Sequence, residues 1–140
     1  MYKHILVPID GSQQADRALE HAIALAQTLS PETKLTILYV SQLLTLNEPT
    51  MGVVMYDNME DQDRQVIQPA AAKLAASNVN FTIDTKTGDP ASVICYMADY
   101  NKCDLIVMGS RGVGLMSEIL LGSVSHGVIQ HAHCPVLIIK

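Results

Sequence analysis

Five short apolar runs recur along this chain of 140 residues, and each is separated from the next by a stretch of helical character. The runs are His4 to Ile9, Lys34 to Val40 (KLTILYV), Asn80 to Thr85 (NFTIDT), Asp104 to Met108 (DLIVM) and Val136 to Ile139 (VLII). The third alternates with period two. The others are continuous, which suits strands covered on both faces, the condition of a parallel sheet. After Ser12, which fits an N-cap, Ala15, Ala18, Leu19, Ala22, Ile23, Ala26 and Leu29 recur at helical spacing until Pro31 stops the helix. Asp89-Pro90 pairs a capping residue with proline at a first helical position, and Val93, Ile94, Met97 and Ala98 then form an apolar face. Ala70 to Ser77 is strongly helix-forming, with Pro69 expected to kink any helix that contains it. Gly122 to His131 is the last helix, ended by Pro135.

The resulting order is β-α-β-α-β-α-β-α-β. Right-handed crossovers turn it into an α/β fold, a doubly wound five-stranded parallel sheet with helices on both faces and strand order 3-2-1-4-5. Ser41 to Met59 is the least regular piece, holding Pro49, Gly52 and the spaced Met51, Met55 and Met59. It reads as a surface loop whose methionines pack on the sheet or a neighbour, the alternative being a flap over a ligand.

Composition narrows the class. The length fits one domain spanning residues 1–140, with no shift in composition along it. A net charge of −5 argues against a nucleic-acid coat or a binder of anionic membranes. No apolar run approaches the roughly 20 residues of a membrane span, and the N-terminus lacks the basic start and apolar stretch of a signal peptide. Cys95, Cys103 and Cys134 are odd in number and form no C-x-x-C pair, which disfavours a disulfide scaffold or zinc ribbon. A cytoplasmic protein is expected.

In open α/β sheets the ligand lies beyond the carboxyl ends of the strands, where strand order reverses. Here that crevice falls between the first and fourth strands. The first exits through Pro8, Ile9, Asp10, Gly11 and Ser12; the fourth exits through Gly109-Ser110-Arg111-Gly112-Val113-Gly114. After a short apolar stretch, Gly122-Ser123-Val124-Ser125 opens the final helix. Glycines let an anion approach the backbone, and a helix N-terminus presents unpaired N–H groups and about half a positive charge. Ser123 and Ser125 add hydroxyls, and Arg111 is the only cation of the loop. Two such clusters at one mouth make a phosphate cradle. The Gly-Lys-Ser/Thr of the common phosphate loop and the glycines of a dinucleotide fingerprint are both absent.

The spacing Gly109-x-x-Gly112, nine residues, Gly122-Ser123 resembles the ATP-binding signature of the universal stress proteins, as do the opening ILVPIDGS and the ending HAHCPVLIIK. The resemblance covers essentially the whole chain. It implies an adenine nucleotide α-hydrolase-like, Rossmann-like sheet. Gly109, Gly112, Gly122, Ser123 and Val124 would then hold ribose and phosphates, with Ser125 nearby, and Asp10 and the backbone of Val40 would address the adenosine. ATP is the expected ligand, with Mg or Mn held by its phosphates rather than by the protein. Independently, a carboxylate is repelled by a triphosphate, so Asp10 suits the ribose hydroxyls or adenine amine. Its alternative is an Asx-turn with Gly11. Pro8 and Met108 would be apolar walls or simply core.

His126, His131 and His133 read as surface or helix-end histidines rather than metal ligands, and the cysteines as inert thiols. Apart from Asp10 and Arg111, the two loops offer no acid, base or cation for phosphoryl transfer. The expected function is therefore a nucleotide-dependent signalling module, the alternative being a slow ATP hydrolase or phosphotransfer enzyme on the same fold. A phospho-receiver lacks support, since Lys86 and Thr87 stand where an acceptor Asp would be needed. An apolar last strand at the sheet edge is a pairing hazard unless covered. Residues 135–140 are thus expected to join a second copy in a two-fold homodimer, which the family resemblance also implies.

Overall fold

The computed structural model describes residues 1–41, 49–111 and 121–140, with backbone alone for 49–60. The strands are β1 (His4–Ile9), β2 (Lys34–Ser41), β3 (Asn80–Thr87), β4 (Leu105–Gly109) and β5 (Val136–Ile139). The helices are α1 (Gln13–Leu29), α2 (Pro49–Ser77), α3 (Pro90–Tyr100) and α4 (Ser123–His131). All neighbouring strands are parallel, in the order β3-β2-β1-β4-β5, so order reverses between β1 and β4 as expected.

Side-chain alternation along the strands divides the core in two. Ile5, Val7, Ile37 and Val107 face Ala18, Leu19 and Ala22 of α1 and Ala70 and Leu74 of α2. Leu6, Leu38, Ile106 and Met108 face Ile94, Met97 and Ala98 of α3 and Val128 of α4. A continuous apolar run thus serves both layers at once. β3 alternates because it is an edge strand with only one well-covered face. β5 forms the other edge, and its four residues are all half-buried.

The local punctuation acts as the residue types dictate. Ser12 caps α1, its Oγ accepting from Ala15 N–H at 3.1 Å. Asp89 caps α3, accepting from Ser92 N–H at 3.0 Å and Ser92 Oγ–H at 2.9 Å, with Pro90 next in the first turn.

One expectation is corrected. Residues 49–59 belong to a helix, not to a surface loop, for α2 begins at Pro49. Proline at a first helical position is a start rather than a break, and Met51, Met55 and Met59 are spaced as one helical face. Ser41, also expected in that loop, ends β2, and 42–48 lie outside the described residues. α2 also continues through Pro69. Pro69 and Gln65, whose carbonyl loses its helical partner there, are both exposed, so water can take that acceptor.

A second proline shapes the crevice. β1 pairs with β2 along its full length but with β4 only through Ile5–Leu105 and Leu6–Ile106. Pro8 brings no N–H to a ladder, and the carboxyl ends of β1 and β4 part before it.

Candidate functional site

On the β1 side, the chain leaves the strand through an Asx-turn. Ser12 N–H donates to Asp10 Oδ1 at 2.9 Å, while Gly11 takes φ +85°, a left-handed conformation that favours glycine. The turn sets Asp10 half-buried at the mouth and feeds Ser12 into its capping role. A Cβ on Gly11 would lie 3.3 Å from Val66 Cγ2, so α2 packs over this turn.

At the adjacent end of β2, the half-buried Tyr39 lies beside Asp63 of α2. Burial raises the phenol pKa first, followed by the charge of Asp63 and then the charge of Asp10. Asp63 Oδ1 is buried with no hydrogen-bond partner among the described residues. This corner of the mouth is therefore rich in acceptors and negative charge. Sequence reasoning named Asp10 and missed Tyr39 and Asp63, because Asp63 arrives from a helix whose course was not read. Val40, next to Tyr39, is half-buried against the α3–α4 layer.

The β4 side is different in kind. Met108 is only 5% exposed and belongs to the core, so it offers a ligand little wall, whereas Pro8 is half-buried. Gly109 is buried, and a Cβ there would come within 2.8 Å of Gln14 and 2.9 Å of Ala15 N. Glycine at 109 is thus required by the approach of α1 to β4. Ser110 follows, with its N–H donating to Ile139 O at 2.8 Å. Its carbonyl accepts from Gly122 N–H at 2.7 Å and from Ser125 Oγ–H at 2.8 Å. The two separated stretches named from the sequence are therefore hydrogen-bonded to each other. Arg111 is half-buried at the loop entrance, and Gly112 lies outside the described residues.

Gly122 is the N-cap of α4, at φ −74° and ψ 169°, a conformation any residue adopts. What glycine contributes there is the lack of a side chain: no cap hydrogen bond closes the helix, and its first turn holds no acidic residue. α1 and α3 are both capped by side chains. Among these three helices, α4 alone has an N-cap residue with no side chain to answer its first amides and partial positive charge. Ser123 is exposed, Val124 half-buried, and Ser125 buried with its hydroxyl already engaged.

The remaining reactive residues lie elsewhere. Helix α4 ends at His131, so His126 and His133 do not share a helical face. His131 Nδ1 lies 3.0 Å from Gly127 O, and His133 pairs with Asp99 at 3.0 Å. No group of metal-binding residues occurs among the described residues. Burial raises all three thiols, that of Cys103 to about 12, which suppresses the thiolate. Among the described residues no helix is long and apolar enough to cross a membrane.

Known proteins share this architecture over its full extent. The family model described as the universal stress protein family matches residues 1–140. Universal stress protein MJ0531 of Methanocaldococcus jannaschii is 32% identical over 141 residues, covering 100% of this chain and 83% of its own length. The solved structure of the protein MJ0577 superposes with a TM-score of 0.90 at 30% identity, covering 100% of this chain and 96% of that one. A universal stress family protein from Arabidopsis thaliana, solved with AMP bound, gives a TM-score of 0.71 at 25% identity over 99% of this chain and 91% of that one. A family model spanning the whole chain, relatives matched along their length and a superposable fold agree: the chain belongs to the universal stress protein family.

Proposed function

We propose that the chain, acting as one domain, binds ATP at the parting of β1 and β4 and serves as a nucleotide-dependent stress-signalling module. The observation that carries this reading is the Ser110 carbonyl, which ties the exit of β4 to the uncapped N-terminus of α4. An uncapped helix start favours phosphate oxygens, with Ser123 Oγ and Arg111 as further donors and Gly109, Gly112, Gly122, Val124 and Ser125 forming the backbone around them. The carboxylates of Asp10 and Asp63 repel a triphosphate and suit donors, so the adenosine lies on the β1–β2 side beside Asp10, Pro8 and the backbone of Val40. The AMP of the Arabidopsis relative supports an adenine nucleotide. Mg or Mn would arrive with the phosphates, coordinated by their oxygens and water. The cytoplasm, and a homodimer through residues 135–140, complete the proposal.

Calorimetry tests it. Wild type should bind ATP, and Gly122→Val should abolish binding while circular dichroism stays near wild type, because the backbone at 122 admits valine. Unchanged affinity in that variant would refute the cradle. Release of ADP, AMP or phosphate above about 1 per second, within the usual range of enzymes, would replace the signalling reading with a catalytic one.

A further inference from the structure

We infer that Ser125 is a positioning residue, whose buried hydroxyl sets the register between the exit of β4 and the first turn of α4 rather than touching a ligand. Proton counting carries the argument. A serine hydroxyl has one hydrogen to donate. That of Ser125 lies 2.8 Å from Ser110 O and 3.1 Å from Gly122 O, two carbonyls that can only accept. A phosphate oxygen is also an acceptor, so no proton is left for it. Access agrees, for Ser125 is 2% exposed while Ser123, two positions earlier, is exposed.

The Ser110 carbonyl fills both lone pairs from α4, with Gly122 N–H at 2.7 Å and Ser125 Oγ–H at 2.8 Å. Its N–H is held from the other side by Ile139 O at 2.8 Å. Ser110, itself 5% exposed, is thereby pinned to β5 on one flank and to α4 on the other. The segment 111–121 leaves and returns at this clasp. Small displacements at its base move the α4 amides relative to β4, and positioned donors lose strength steeply with distance and angle.

The consequence for ligand affinity rests on the nucleotide-binding reading above, so the test reads the clasp both without and with nucleotide. Hydrogen exchange on the ligand-free chain compares the Gly122 amide with the Ser110 amide, whose partner is on β5. Ser125→Ala should speed exchange at Gly122 by about tenfold, the worth of one hydrogen bond, and leave Ser110 within about twofold. ATP affinity should fall by about tenfold, and Ser125→Thr, which keeps the hydroxyl, should restore both. Unchanged exchange at Gly122 overturns the inference, and if ATP affinity nevertheless falls, the hydroxyl acts on the ligand. Faster exchange with unchanged ATP affinity overturns the positioning role. If wild type binds no ATP, the nucleotide reading falls by itself and the exchange result alone decides whether the clasp exists.

Discussion

A methyl group on Gly109 would sit 2.8 Å from two carbons of Gln14 and 2.9 Å from Ala15 N, backbone and near-backbone atoms that cannot step aside. Gly109→Ala should therefore destabilise the fold by about 1–3 kcal/mol, read as a lowered urea midpoint, even without nucleotide. From the sequence this glycine reads only as a ligand contact, because its steric partner lies far upstream. For Asp10 the Asx-turn was legible and is present through Oδ1, and the turn leaves the carboxylate at the mouth. His4 was not legible. Its ring bridges Asn101 O at 3.0 Å and Thr36 Oγ1 at 2.6 Å. Burial lowers its pKa most, helped by Lys34 and opposed by the Asn101 carbonyl and Asp104. The unfolded chain then binds more protons just below the usual value of 6.5, so stability holds above that pH and declines as pH falls through it. Urea midpoints should drop between about pH 7.5 and about pH 5.5, and His4→Gln should flatten that drop.

At the scale of elements, the three described N-caps behave differently. α1 and α3 spend a side chain on their first amides, and α4 does not. Ser12→Ala should cost about 1 kcal/mol of stability. Gly122→Asp should do the reverse in the ligand-free chain, adding a few tenths of a kcal/mol by capping α4, while the same carboxylate expels ATP. Opposite signs in a thermal melt and a nucleotide titration would mark an N-terminus kept open for a ligand; equal gains in both would argue against it. Strands were readable because burial on both faces leaves unbroken apolar runs, and β3 betrayed its edge by alternating. α2 was misread because Pro49 and Gly52 look like breakers when counted singly, whereas Pro49 stands where a helix begins. The Tyr39–Asp63 contact was lost with it.

For the molecule as a whole, the strand order β3-β2-β1-β4-β5 leaves β5 half-buried at an edge. The proposed pairing of two β5 strands predicts that Ile138→Lys weakens a dimer more than it weakens ATP binding. Light scattering over a dilution series checks it, and a wild-type monomer at micromolar concentration would remove the dimer. Arg17 Nε donates to Lys140 O at 2.8 Å and Ile139 O accepts from Ser110, so the edge strand is tied to both α1 and the exit of β4. On the proposed reading, the β4 exit and the α4 start act as one binding surface. An amide-resolved NMR titration with ATP tests it most directly. Gly109, Ser110 and Arg111 should shift together with Ser123 and Val124 along a single saturating curve. Shifts confined to one of the two stretches, or none in either, would contradict it.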